Sequence, residues 1–242
     1  MTIDGQVAII TGASSGIGRA AARRLADRGV RTVLVGRSAA RLEPVAASLT
    51  SESAVVEGDV ADGATIELAV RTATERFGRL DIVLANAGLY LGGDFLTASY
   101  DEIAATVQAN VTGVMTTVRG ALPHLVAHGT GDVVVTSSVA GHIDVQWEPV
   151  YSPTKHAMQA FTHAVRQQLV GTGVRMGAIA PGVVLNELWG YQENETDRVA
   201  EKVADRTGIT SDDVADAIDY MLTRPRHVTL RDVVILPTDQ DI

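Results

Sequence analysis

Seven short runs rich in β-branched residues, most of them separated by stretches of helix length, constrain this chain more than any other feature. The runs fall at residues 7–11, 31–35, 54–57, 80–85, 132–138, 174–179 and 233–236. Strands alternating with helices predict a parallel sheet covered on both faces. Right-handed crossovers then impose a doubly wound, Rossmann-type α/β arrangement of about seven strands. Residues 20–29 are rich in Ala and Arg and close on Gly29, a helix stop, and residues 65–77 read as a second helix. Hydrophobic residues make up 46% of the chain and aromatics 4%, so the core is built from Ala, Val, Leu and Ile, as a buried parallel sheet requires. No repeat, low-complexity stretch or linker interrupts the pattern. The expectation is one domain over residues 1–242.

Composition excludes several functions. The chain has no cysteine, which removes disulfides, thiolate nucleophiles and thiolate metal sites, and no metal cluster is visible. A formal net charge of −9 without a basic block argues against nucleic acid and against anionic membranes. Its simplest meaning is a solvated surface. Met1 to Gly5 carries no signal-like pattern, and no apolar run is long enough to span a bilayer, so a cytoplasmic protein is expected.

The first strand runs into Thr11-Gly12-Ala13-Ser14-Ser15-Gly16-Ile17-Gly18, followed by a helix. Gly12 permits a sharp turn, Gly16 lets a ligand approach the backbone, and Gly18 lets the helix pack closely on the sheet. The helix start then offers free N–H groups and a positive dipole end to a pyrophosphate. An ordinary strand–helix turn would look similar; the position at the first strand–helix junction favours the phosphate site. The spacing is GxxxGxG rather than GxGxxG. Dinucleotide folds commonly place an acid after the second strand to hold the adenosine ribose. Here that strand ends in Gly36-Arg37. A guanidinium suits a 2′-phosphate, which favours NADP(H), with NAD(H) as the alternative and a solvated loop arginine as the plain one.

A helix is expected from about Tyr151 to Gln168, because Pro153 is tolerated within a first turn. Tyr151 and Lys155 then share a face. A nearby cation favours the phenolate, so Tyr151 could move a proton to or from an alcohol oxygen. Alone, such a pair is usually surface. Ser138, at the end of the fifth strand, could hydrogen-bond the substrate oxygen, although a serine there is often only a cap. Ile103, Val107, Val111, Val114 and Val118 form an apolar helical stripe, and Asn110 falls on or beside it. A buried amide must find partners, and the plain alternative is local bonding at a helix kink.

Together these motifs resemble the short-chain dehydrogenase/reductase family over nearly the whole chain. The resemblance implies that Gly12, Ser14, Ser15, Gly16, Ile17 and Gly18 hold the cofactor pyrophosphate and that Asp59 and Val60 face the adenine. It implies further that Asn86, Ala87 and Gly88 form the family's NAG motif, and that Asn110, Ser138, Tyr151 and Lys155 form its catalytic set. Lys155 would lower the Tyr151 pKa and bond the nicotinamide ribose. Asn110 would help hold a water relay to the lysine. Pro181, Gly182 and Val184 would border the nicotinamide, with Asn186 standing where the family often has Thr. A homotetramer is the family's common assembly.

Residues 185–208 are expected to form a substrate lid. His142, Trp147 and Glu148, with Asn186, Trp189 and Tyr191, are candidate substrate contacts suited to a polar, hydroxylated compound. The bland alternatives are a turn histidine, a packing Trp147 and a helix-capping Glu148. Trp147 to Tyr151 and residues 226–237 resemble ribitol-type, NAD-using polyol dehydrogenases. Gly36-Arg37 and the tail from Pro237 to Gln240 are closer to NADPH-dependent 3-hydroxy acid dehydrogenases and clavulanate-type aldehyde reductases. The expected reaction is hydride transfer with a small alcohol or carbonyl substrate. The rival possibilities are a non-catalytic cofactor-binding regulator and a lyase or epimerase with bound cofactor.

Overall fold

In the computed structural model, which describes residues 1–192 and 194–241, the β-branched runs become seven strands. They are β1 (Val7–Thr11), β2 (Arg31–Gly36), β3 (Ser53–Glu57), β4 (Ile82–Ala85), β5 (Gly131–Thr136), β6 (Val174–Pro181) and β7 (Asp232–Ile235). The helices are α1 (Gly16–Asp27), α2 (Ala39–Ala47), α3 (Gly63–Phe77), α4 (Tyr100–Val107), α5 (Val114–His128), α6 (Tyr151–Gln168), α7 (Thr196–Ala204) and α8 (Ser211–Leu222). All strands run parallel in the order β3-β2-β1-β4-β5-β6-β7, so the order reverses between β1 and β4. A crevice outside the carboxyl ends of the strands follows from that reversal.

Strand alternation divides the core between the two faces. Val7, Ile9, Val83 and Val133 pack with Ile66, Val118 and Met158 of α3, α5 and α6. Ala8, Ile10, Leu84 and Val134 pack with Leu25, Leu42 and Ile218 of α1, α2 and α8. Neither face of the central strands meets water, which is why these strands read as continuous apolar runs.

Three departures from the sequence expectation bear on the site. β4 begins at Ile82 because Asp81 turns aside to accept from the Val7 N–H at 2.9 Å and to pair with Arg79. β5 ends at Thr136, and Ser138 opens a 3₁₀ turn by accepting from the Ala140 N–H at 3.1 Å. The apolar stripe around Asn110 is one helical path interrupted by a π-helical turn, Gln108–Gly113, a distortion frequent at functional sites. No described helix is long and apolar enough to cross a membrane.

Candidate active site

A cavity of about 550 Å³ opens along the carboxyl ends of the strands. At one end lies the glycine loop, with Gly12, Ser14, Ser15, Gly16 and Ile17 in the wall. Gly12 (φ +66°) leaves only 2.9 Å between a would-be Cβ and the Ala87 Cα, so β1 and β4 can meet only through glycine here. Gly18 stands behind the wall, tight against the Gly12 carbonyl. Ser15 caps α1 without a side-chain hydrogen bond, so its hydroxyl takes none of the donors at that terminus. Arg37 follows β2 into the lining, accompanied by Arg41 from the first turn of α2, and Asp59 and Val60 follow β3. Glu57, opposite Gly36 in the sheet, is engaged elsewhere: its carboxylate accepts from the Ala39 N–H at 2.9 Å.

Asn86, Ala87 and Gly88 line the middle. Asn86 is also a tie. Its Nδ2 donates to the Thr11 carbonyl at 3.0 Å, and its Oδ1 accepts from Thr136 Oγ1 at 3.1 Å, joining the ends of β1, β4 and β5. Pro181, Gly182, Val184 and Asn186 close the cavity from beyond β6. Asn186 Oδ1 accepts from the Leu188 N–H at 3.0 Å, capping the 3₁₀ turn Glu187–Trp189, and its amide rests over Gly16. That turn carries an acid to the start of α1. Glu187 accepts from the Gly16 N–H at 3.0 Å and pairs with Arg19 at 2.9 Å.

At the other end Ser138, Tyr151 and Lys155 share the cavity wall, all nearly buried. Ser138 stands beside the Tyr151 phenol, and its hydroxyl donates to the Pro181 carbonyl at 3.4 Å. Lys155 Nζ stands 5.3 Å from the centre of the Tyr151 ring and donates to the Thr136 carbonyl at 3.1 Å. Burial pushes the Lys155 ammonium down to about 8. The expected lowering of the Tyr151 pKa is not what the chain's own groups produce. Burial first, and the nearby Glu148 carboxyl second, push the phenol well above its ordinary range, and the Ser138 hydroxyl opposes them. Asn110, fully buried, finds its partners at a distance in sequence: Oδ1 accepts from the Leu89 N–H at 2.7 Å, and Nδ2 donates to the Leu89 carbonyl at 2.9 Å and Thr154 Oγ1 at 3.1 Å. It ties the segment after Gly88 to the first turn of α6.

The proposed substrate contacts are not all brought together. Trp189 lines the cavity; His142, Trp147, Glu148 and Tyr191 do not. His142 bonds Gln159 at 2.9 Å, Trp147 is largely exposed, and Arg198 stacks on Tyr191 at 4.3 Å. Glu148 is buried behind the wall, where its carboxyl accepts from Ser152 Oγ at 3.3 Å and stands beside the Tyr90 phenol. Within residues 185–208 the chain forms the 3₁₀ turn and α7, and Glu193 lies outside the described residues. Residues of the site that escaped the sequence reading include Tyr90, Arg41, Glu187 and Thr154. Arg41 was legible as a second cation one turn beyond Arg37. Tyr90 was legible only as an aromatic two residues past Gly88. Nothing local in sequence marks Glu187 as a partner of α1.

Comparison with known proteins follows the same outline. The short chain dehydrogenase family model matches residues 6–197. An uncharacterized oxidoreductase of Staphylococcus epidermidis is 32% identical over 232 residues, covering 96% of this chain and 97% of its own. The solved alcohol dehydrogenase of the archaeon Thermococcus sibiricus, complexed with 5-hydroxy-NADP, is 30% identical at a TM-score of 0.88, with 98% of each chain covered. A closed serine dehydrogenase complexed with NADP⁺ is 29% identical at a TM-score of 0.88, covering 98% of this chain and 97% of its own.

Proposed function

This chain belongs to the short chain dehydrogenase family, and on that premise we propose that it moves a hydride between NADP(H) and the carbon of an alcohol or carbonyl compound. One observation carries the proposal: Ser138, Tyr151 and Lys155 converge at one end of a single cavity whose other end is a glycine loop flanked by Arg37 and Arg41. The donor set fits a phosphorylated dinucleotide. Gly12 and Gly16 supply close backbone, α1 presents an N-terminus that Ser15 does not cap with its side chain, and two guanidinium groups stand where β2 ends without a carboxylate at Gly36. Two structural neighbours hold NADP-type cofactors, which supports the same choice.

When bound, the nicotinamide supplies or accepts the hydride. The chain's residues do the rest. Ser138 donates to the substrate oxygen and orients it. Tyr151 transfers the proton at its phenolic oxygen. With its pKa pushed up by burial, Tyr151 holds that proton at neutral pH, the form needed to protonate a reduced carbonyl. Lys155 supplies positive charge below about 8 and carries less above it. Asn110 acts as a positioning residue through Leu89 and Thr154. Residues 185–208 act as the lid, and exposed apolar side chains such as Tyr100, Val107 and Met115 support a homotetramer, which sedimentation would check.

Initial rates with NADP⁺ and NAD⁺ in parallel test the cofactor assignment. R37A/R41A is expected to raise KM for NADP⁺ by about tenfold or more, as loss of charge-assisted phosphate contacts would, with little change for NAD⁺. Turnover with NAD⁺ alone would overturn the assignment in favour of a ribitol-type enzyme. Glu187 bears on the same site. Its carboxylate contacts the α1 terminus that a pyrophosphate would use, and like charges there repel. E187Q is therefore expected to tighten NADPH binding by about three- to fivefold, measured by the cofactor's fluorescence. Unchanged or weaker binding would show that Glu187 supports the site instead of competing for it.

A further inference from the structure

The catalytic end of the cavity offers a single charged group, Lys155, which restricts what can reach Tyr151. Ser138 and Tyr151 share the lining of the cavity with Leu89, Leu188, Trp189 and Gln108. Among the described lining residues the charged ones are Arg37, Arg41, Asp59, Lys155 and Glu187. The first three follow β2 and β3, beyond β1 from the catalytic end. Glu187 is engaged with Gly16 and Arg19, and Lys155 with the Thr136 carbonyl. A substrate carboxylate would find no cation committed to it here, nor a substrate ammonium a carboxylate. Burying a charge unpaired is costly.

Behind this wall stands Tyr90. Its ring lies 5.0 Å from that of Tyr151 and 4.7 Å from that of Trp189, tilted to both. Three aromatic rings therefore run continuously from the catalytic phenol to the 3₁₀ turn. Burial first, and the nearby Glu148 carboxyl second, push the Tyr90 phenol up, and Ser152 Oγ bonds that carboxyl at 3.3 Å. The backbone closes around it: a Cβ at Gly92 would meet the Tyr90 hydroxyl at 2.5 Å and the Trp147 carbonyl at 3.0 Å. An apolar face of this kind favours a flat ring laid against it.

We infer that the site takes uncharged alcohols and ketones whose reacting carbon adjoins or belongs to a ring, and that Tyr90, packed behind Tyr151 and Trp189 and beside Glu148, is the positioning residue that sets the two lining rings which receive them. This rests on the hydride-transfer role proposed for Tyr151. Glu148 adds a second consequence. The groups facing Tyr151 are Ser138, Lys155, Tyr90 and Glu148, and the Glu148 charge opposes ionisation of the phenol. Removing that charge makes the phenolate easier to reach.

The test measures NADP⁺ reduction with 1-phenylethanol, cyclohexanol, L-serine and ribitol, using the wild type, Y90F, E148Q and Y151F. The ring alcohols are expected to show kcat/KM at least about tenfold above serine and ribitol, the scale set by filling an apolar pocket. Y90F is expected to raise KM for 1-phenylethanol about fivefold with kcat nearly unchanged, because it removes the hydroxyl beside Glu148 without touching the reacting atoms. NADPH affinity should not move. E148Q, which serves if Y90F folds poorly, is expected to raise the same KM and shift the rising limb of the oxidation profile to lower pH. Preference for serine or ribitol, absence of turnover of both ring alcohols by protein that binds NADPH, or an unchanged KM and pH profile in Y90F and E148Q would overturn the inference. Turnover that survives in Y151F would instead overturn the catalytic assignment on which it rests.

Discussion

Replacing Tyr151 by phenylalanine is expected to lower kcat by about 10³-fold, the middle of the range for removing a positioned acid–base group, while NADPH affinity changes by less than about twofold. The ring would stay in place, since it packs against Tyr90 and the Lys155 ammonium through atoms that phenylalanine keeps. Only the hydroxyl beside Ser138 is lost. The pH dependence has a definite sign in each direction. Carbonyl reduction needs the protonated phenol, which burial and Glu148 favour, so its rate should stay level through neutral pH. Alcohol oxidation needs the phenolate, so its rate should climb as pH rises. Lys155 loses its proton near about 8 by burial, so its help to the phenolate fades above that point and the climb becomes shallower. Single-turnover rates in both directions would check this. A Y151F enzyme within tenfold of wild type would remove Tyr151 from the chemistry.

Much of this was legible in sequence because it rests on local pattern. The strands read as apolar runs because the sheet is buried on both faces, and Gly12, Gly16 and Gly18 stood out because no side chain fits their positions. Pro153 set the start of α6. Asn110 was legible as an anomaly on an apolar stripe, but not its solution: a π-helical turn that aims the amide at Leu89, twenty-one residues away in the chain. What remained hidden depends on which distant segments meet. Glu148 looked like a helix cap or a substrate contact; it is a buried acid beside Tyr90, bonded by Ser152. His142 and Tyr191 had the right chemistry for a polar substrate and point their polar or aromatic groups elsewhere. The burial and the Glu148 carboxyl that raise the Tyr151 pKa in the chain alone were hidden for the same reason. Helical spacing displayed the lysine, while burial and the acid beside it, which oppose the lysine, are properties of the folded surroundings.

The second large effect is expected from a single methyl group. In Gly18→Ala the new Cβ would stand 2.3 Å from the Gly12 carbonyl oxygen, 2.8 Å from its carbon and 2.7 Å from Asn86 Nδ2. Two of these neighbours are backbone atoms of the turn proposed to hold the phosphates, so they cannot rotate away as a long side chain could. Either α1 moves off the sheet or the Gly12 turn opens. Overpacking of this kind costs about 1–3 kcal/mol, which denaturant unfolding would report. The larger effect falls on the cofactor. Asn86 bonds Thr11 and Thr136 and so fixes the ends of β1, β4 and β5 around the cavity. Displacing it together with the α1 donors moves several contacts at once, and misplacement of about 1 Å can cost a hundredfold. NADPH affinity is expected to fall by about that factor. Gly63→Ala is the control: it sits at the start of α3 with nothing within 4 Å of a would-be Cβ, so stability should hold or rise slightly and NADPH binding should not change. If Gly18→Ala bound NADPH as tightly as Gly63→Ala, the glycine loop would not be the phosphate site, and the cofactor would have to enter the cavity in another orientation.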